Sequence, residues 1–274
     1  MITQHYFEND LVNLHYYKFG DGPKVMLCLH GYGMHGKQFK PLEVTLGEKY
    51  TFYGFDLFFH KETKLKDQSL AAIQKGIQKK ELIALIDEFC KSEHINRFSV
   101  IGYSMGSHYA TAVAEEMADR IDEYIIAAPS SLNPGRLIAF FSKNKTGNTI
   151  LQKFVLHEKA LIRMLKLFKG LHLINDQDYK ILYSEVGTAD LRFNFYACFV
   201  YLRYFETNEE KLLKALNDQN IKSIFIFGKK DKSFPPRIGD QFIPKVKNAE
   251  VILLDEGHEM IKKDFVAQLT RLLA

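Results

Sequence analysis

The run Phe98-Ser99-Val100-Ile101-Gly102-Tyr103-Ser104-Met105-Gly106 decides how this chain is read. It opens on an apolar stretch, as a strand buried on both faces does. It leads into Ser107 to Ala114, which reads as a helix. Between the two stands G-x-S-x-G. A serine on a sharp strand-to-helix turn holds its hydroxyl clear of the backbone. Such a turn is strained, and it crowds the positions two before and two after the serine. Glycine at Gly102 and Gly106 removes the Cβ clash there. The reading therefore places Ser104, a candidate nucleophile, at the end of a central strand.

Working outward, other apolar runs end in polar residues in the same way. Residues from about His5 to Phe19 alternate enough for two short antiparallel strands, closed by the Gly20-Asp21-Gly22-Pro23 turn. Val25 to Leu29 ends in His30-Gly31, and Phe52 to Phe55 ends at Asp56. Ser69 to Lys91 reads as one long helix with Ser69 as its N-cap. Tyr124 to Ala128, Ile224 to Phe227 and Val251 to Leu254 are further buried strands, and Ile261 to Leu273 is a closing helix. Strand and helix alternate, so the sheet is expected to be mostly parallel with helices on both faces. Asn133 to Asn220 breaks the alternation. It offers helical segments at Leu151 to Phe168, Asp176 to Val186, Ala189 to Phe205 and Glu209 to Leu216. The expected organisation is a core of 1–132 and 221–274, with a helical insertion over 133–220.

Composition narrows the class. The chain has 274 residues and 46% hydrophobic content, enough to bury a large core. Its net charge of +4 is too small an excess to imply a nucleic-acid partner. Cys28, Cys90 and Cys198 are widely spaced and form no metal-ligand cluster. They read as reduced, buried thiols of a cytoplasmic protein. The start of the chain lacks the basic-then-apolar pattern of a signal peptide, and no apolar run approaches 18 residues.

Serine is a weak nucleophile. It needs a base within hydrogen-bond reach, and the base needs an orienting group. In a parallel sheet such groups gather at the carboxyl ends of the strands. Gly228-Lys229-Lys230-Asp231 follows one strand and offers Asp231. Asp255-Glu256-Gly257-His258 follows another and offers His258. Asp255 is the rival acid, but it would have to fold back from the same strand end to meet the far imidazole nitrogen. Asp231 is therefore preferred. The order serine, acid, histidine is the one expected for a serine on such an elbow. A fourth element, His30-Gly31-Tyr32-Gly33, would supply fixed N–H donors for an oxyanion. The backbone N–H groups of Tyr32 and Met105 are the candidates, with Gly31 and Gly33 letting the loop come close. Met105 opens the elbow helix, so the helix dipole favours negative charge there.

The His30–Gly33 loop, the elbow, the Gly228–Asp231 turn and the Gly257-His258 pair together resemble the α/β-hydrolase superfamily, in particular its capped, esterase-like serine hydrolases. The resemblance implies an eight-stranded-type, mostly parallel sheet and a helical cap at the insertion. It also implies hydrolysis of a small-to-medium apolar carboxylic ester through a Ser104–His258–Asp231 triad and an acyl-enzyme, with no metal or organic cofactor. Two departures stand out. After Asp56, relatives often carry a proline, a glycine and a histidine-glycine pair, where this chain has Leu57-Phe58-Phe59-His60-Lys61. Where many carry tryptophan after the oxyanion loop, this chain has Phe39. Relatives with an aspartate nucleophile, the epoxide hydrolases and haloalkane dehalogenases, are argued against by Ser104.

The insertion speaks to substrate only through its aromatic run, Phe193 to Phe205, which suits either an apolar pocket or helix-on-helix packing. Between Arg136 and Lys169 stand eight cations and one acid, Glu158. A basic amphipathic helix of this kind lies on an anionic membrane or attracts acidic substrates, and a solvated surface is the simpler reading. Two other functions fit the same residues: C–C hydrolysis or a lyase step with the same triad, and a ligand receptor on a hydrolase fold with slow turnover.

Overall fold

A computed structural model of the chain describes residues 2–133, 136–171, 179–180, 183 and 186–274. The chain divides into two compact units. Met1–Lys66, Gln78–Asn133 and Phe205–Ala274 make the first, and Asp67–Ile77 with Pro134–Tyr204 make the second.

The first unit is built on one sheet. Its strands are β1 (Thr3–Glu8), β2 (Val12–Phe19), β3 (Lys24–Leu29), β4 (Tyr50–Phe55), β5 (Lys64–Leu65), β6 (Phe98–Tyr103), β7 (Ile121–Ala127), β8 (Lys222–Gly228) and β9 (Ala249–Leu254). They lie in the order β1-β2-β4-β3-β6-β7-β8-β9, with β5 paired to β2. From β4 to β9 every pairing is parallel, while β1, β2 and β5 join antiparallel. Parallel strands covered on both faces read as unbroken apolar runs, and β6 is buried at every residue. The register aligns the strand ends. Leu29 pairs with Phe55 and Gly102, Tyr103 with Ala127, and Gly228 with Leu254. The chain order reverses about β3, whose neighbours are β4 and β6. A crevice outside the carboxyl ends at such a switch point is where open α/β sheets bind ligands.

The N-terminal hairpin forms as expected, but Gly20–Pro23 does not close it. Asn9 does. Its side chain accepts the N–H groups of Leu11 and Val12 at 3.0 Å each. Gly20–Pro23 instead leads from β2 to β3.

The single helix expected over Ser69 to Lys91 is two, Leu70–Lys75 and Lys79–Ser92. Ser69 caps the first as expected, accepting from the Ala72 N–H at 3.2 Å. Gly76 ends it with φ +73°, and Ile77 gives its N–H to the Tyr201 carbonyl at 2.9 Å. The second helix restarts on a capping box between Gln78 and Glu81.

The second unit contains the helices Arg136–Lys143, Lys145–Leu156, Glu158–Gly170 and Ala189–Tyr201. The helix expected over Leu151 to Phe168 is interrupted at His157, whose extended backbone separates two of these. Asn144 and Thr188 cap their helices with side-chain oxygens. Val155, Leu161, Leu165, Tyr196, Cys198 and Val200 are buried. The expected helix Asp176 to Val186 falls mostly outside the described residues. The expected helix at Glu209 is present as Glu209–Asp218 and lies in the first unit.

Phe39, at the position where relatives carry tryptophan, is fully buried in the core near Phe265. All three cysteines are buried and outside any disulfide, and burial pushes their thiol pKa values up.

Candidate active site

Ser104 follows the last residue of β6 and has φ +50°. Left-handed backbone costs a non-glycine residue roughly 1–2 kcal/mol, so something must hold it. The Ser104 N–H donates to the Ala127 carbonyl at 2.9 Å, continuing the β6–β7 ladder past the strand end. The Ser104 carbonyl accepts from the hydroxyls of Ser107 (2.6 Å) and Ser130 (2.7 Å). The flanking glycines are sterically required. A Cβ at Gly106 would lie 2.0 Å from the Leu29 carbonyl oxygen, and one at Gly102 would lie 2.7 Å from that of Gly106. The elbow helix, Gly106–Glu116, then runs on from the turn.

The structure brings Ser104, His258 and Asp231 together. His258 Nε2 lies 3.1 Å from Ser104 Oγ, and His258 Nδ1 lies 2.8 Å from Asp231 Oδ2. The carboxylate only accepts, so Nδ1 carries the proton and Nε2 offers its lone pair to the serine hydroxyl. Asp231 is buried, and its second oxygen accepts the N–H groups of Ser233 (2.8 Å) and Phe234 (3.0 Å). Those bonds fix the carboxylate before it meets the imidazole. Asp255 is elsewhere: it is exposed and paired with Lys230 at 2.9 Å.

The loops after β8 and β9 are laced to each other. The Lys229 N–H donates to the Leu254 carbonyl at 2.8 Å, and the Lys230 N–H to the Glu256 carbonyl at 2.9 Å. Tyr103 adds a tie that its sequence position did not reveal. Its hydroxyl donates to the His258 backbone carbonyl, and its ring lies 5.4 Å from the imidazole. Phe234 lies 5.6 Å from the same ring.

The His30–Gly33 loop lies beside the elbow. A Cβ at Gly31 would stand 3.5 Å from Ser104 Cβ and 2.7 Å from the Tyr103 ring. Gly33 takes φ +74°. Three side chains hold this loop, His30 from the motif itself and Gln38 and His60 from outside it. Gln38 accepts the Gly31 N–H at 2.9 Å. His60 accepts the Gly33 N–H at Nε2 (3.0 Å) and donates from Nδ1 to the Phe58 carbonyl (2.9 Å). His30 donates from Nδ1 to the Gly31 carbonyl (2.6 Å) and accepts the Leu57 N–H at Nε2 (3.0 Å). Each histidine therefore works as a neutral tautomer, one nitrogen giving and one receiving. Burial lowers the pKa of both, which keeps them neutral. The Gly33 N–H is committed to His60, which leaves the N–H groups of Tyr32 and Met105 as the oxyanion candidates.

His60 sits between two left-handed residues, Phe59 (φ +65°) and Lys61 (φ +46°). Lys61 follows His60 where the resembled family often has the glycine of its histidine-glycine pair. The loop keeps left-handed backbone there without the glycine. Asp56 anchors its base from full burial, with Oδ2 2.7 Å from His15 Nδ1 and Oδ1 accepting the Gly36 N–H at 2.8 Å.

A family model described as the alpha/beta hydrolase fold matches residues 24–264, and the chain belongs to that family. No curated protein matched the sequence. Solved structures did. MGS-M2, an alpha/beta hydrolase enzyme from a Medee basin deep-sea metagenome library, is similar at 15% identity with a TM-score of 0.70, over 98% of this chain and 95% of that one. The thioesterase domain from the curacin biosynthetic pathway is similar at 16% identity and a TM-score of 0.67, over 100% and 99%. A structure from work on carboxylesterases of the ammonia-oxidising thaumarchaeon Nitrososphaera gargenis is similar at 16% and 0.65, over 99% and 97%. At these identities the likeness carries the fold.

Proposed function

We propose that this protein is a serine hydrolase that cleaves small-to-medium apolar carboxylic esters through an acyl-enzyme. The observation that carries the reading is the continuous relay from Ser104 Oγ through His258 to the buried Asp231 carboxylate. His258 Nε2 takes the hydroxyl proton as Ser104 Oγ attacks the ester carbonyl. Asp231 holds the imidazole in the accepting tautomer and stabilises the imidazolium. The N–H groups of Tyr32 and Met105 meet the oxyanion, each worth a few kcal/mol of barrier. The imidazolium then gives its proton to the departing alkoxide, leaving the acyl group on Ser104. Water, deprotonated by His258, releases the acid and restores the serine. The helices of the insertion that belong to the second unit, within Pro134–Tyr204, are proposed as the cap that selects the substrate, and no cofactor enters these steps.

The test is covalent. A fluorophosphonate should label wild-type protein at Ser104 and leave Ser104→Ala unlabelled. A chain-length series of nitrophenyl esters should then give multiple turnovers with a defined optimum. Folded wild-type protein that takes no label refutes the activated serine. A single burst without turnover refutes ester hydrolysis as the function and favours a receptor.

A further inference from the structure

We propose that the second unit carries a docking surface for anionic lipid bilayers, centred on the helix Glu158–Gly170. The charge of the chain is segregated. The 36 residues from Arg136 to Leu171 hold eight of its 37 cations and one of its 33 acids, a local net charge of +7. The remainder of the chain is net −3. In the first unit, Lys24, Lys79, Lys211 and Lys262 each pair with a carboxylate. Lys145, Lys153, Arg163 and Lys166 are exposed, and among the described residues none of the four has an acidic partner. A like-charged cluster without counter-charges is repulsive, and an external anionic surface relieves that repulsion.

The apolar residues choose between anionic partners. Leu161 and Leu165 are buried and mark the helix's packed face. The opposite arc carries Arg163, Lys166 and Leu167 at i, i+3 and i+4, with Leu171 one turn beyond. Leu167 and Leu171 are each 58% exposed. On the helix Lys145–Leu156, Ile150 is 48% exposed, one turn before Lys153. A nucleic-acid backbone or an acidic peptide leaves such leucines in water. A bilayer gives cations a headgroup layer and leucines an acyl boundary directly beneath it.

The full chain is tested by flotation with vesicles of phosphatidylcholine alone and with 30% phosphatidylglycerol. Binding is expected only to the anionic vesicles and should weaken as salt rises from 0.1 to 0.5 M. Each cation near such a surface is worth about a fivefold change in affinity, so Arg163→Gln with Lys166→Gln should lose about 30-fold. Leu167→Ser with Leu171→Ser should lose about tenfold or more at unchanged charge. Both double variants alter exposed side chains, so unfolding curves and fluorophosphonate labelling should match wild type. No binding to anionic vesicles, or equal binding to neutral ones, overturns the proposal. So does a leucine variant that binds like wild type while a DNA duplex competes fully, which would define a general polyanion surface. Neither outcome touches the reading of Ser104.

Discussion

Replacing Asp231 by asparagine separates the two carboxylates that compete for the role of orienting acid. The change is nearly isosteric. The amide oxygen keeps the Ser233 and Phe234 N–H bonds at 2.8 and 3.0 Å, so the loop stays in place. The amide NH₂ then takes the site of Oδ2, 2.8 Å from His258 Nδ1. It can only donate, so the imidazole must accept at Nδ1 and carry its proton on Nε2. Nε2 faces Ser104 Oγ at 3.1 Å and has lost the lone pair that would take the hydroxyl proton. A wrong tautomer of this kind costs on the order of 10⁴ in rate, about 5.5 kcal/mol of barrier. Asp255→Asn changes an exposed group whose partner is Lys230, and it should leave the rate within about twofold. Second-order fluorophosphonate labelling and nitrophenyl ester turnover at pH 7.5 measure both variants, with unfolding curves as the control for folding. If Asp231→Asn stays within about tenfold of wild type while Asp255→Asn collapses, the relay described above is wrong.

Other outcomes follow from neighbouring features. Tyr103→Phe removes the hydroxyl that ties down the His258 carbonyl, and kcat should fall about tenfold with KM unchanged; a shift in KM alone would refute a role in placing His258. Lys61→Gly relieves a left-handed backbone at an exposed position. After the entropy that glycine adds to the unfolded chain, it should stabilise by about 0.5–1 kcal/mol, or roughly 1–2 °C in Tm by calorimetry. His30, His60 and His108 all have folded-state pKa values lowered from 6.5 by burial, His108 to about 4. The unfolded chain therefore binds protons first as pH drops. Their contribution to stability is complete above pH 6.5 and is lost as pH falls from there towards about 4, which urea titrations at pH 7.5, 5.5 and 4.5 should show.

The sheet was legible because parallel strands bury both faces. Val25–Leu29, Tyr124–Ala128 and Ile224–Phe227 are apolar runs with no competing period; the first and third lie within strands, and the second runs one residue past the end of β7. Their polar endings led to Ser104, Asp231 and His258, which the structure brings into contact. The break at Gly76 was harder to read. Ile73 and Ile77 extend one apolar stripe, yet the buried set resumes at Leu82, Leu85, Ile86 and Phe89, out of phase with it. That phase slip was the available signal, and counting apolar residues concealed it. Gln38, Tyr103 and Ser130 left no signal at all. Each acts through a single bond to backbone, and such bonds impose no spacing on the sequence. His60 was visible only within a loop that departs from the resembled pattern, and its flanking residues Phe59 and Lys61 take left-handed backbone there.

The positive φ of Ser104 sets a trade-off between endurance and chemistry. Glycine would hold the elbow at less cost, so Ser104→Gly should yield a sturdier protein with no nucleophile. Alanine keeps the Cβ and with it the unfavourable conformation, so Ser104→Ala should lose labelling without that gain. A heat-resistance screen run without an activity gate would therefore tend to erase this residue first. On the proposed reading, the nucleophile at this disfavoured backbone position trades thermal robustness for turnover.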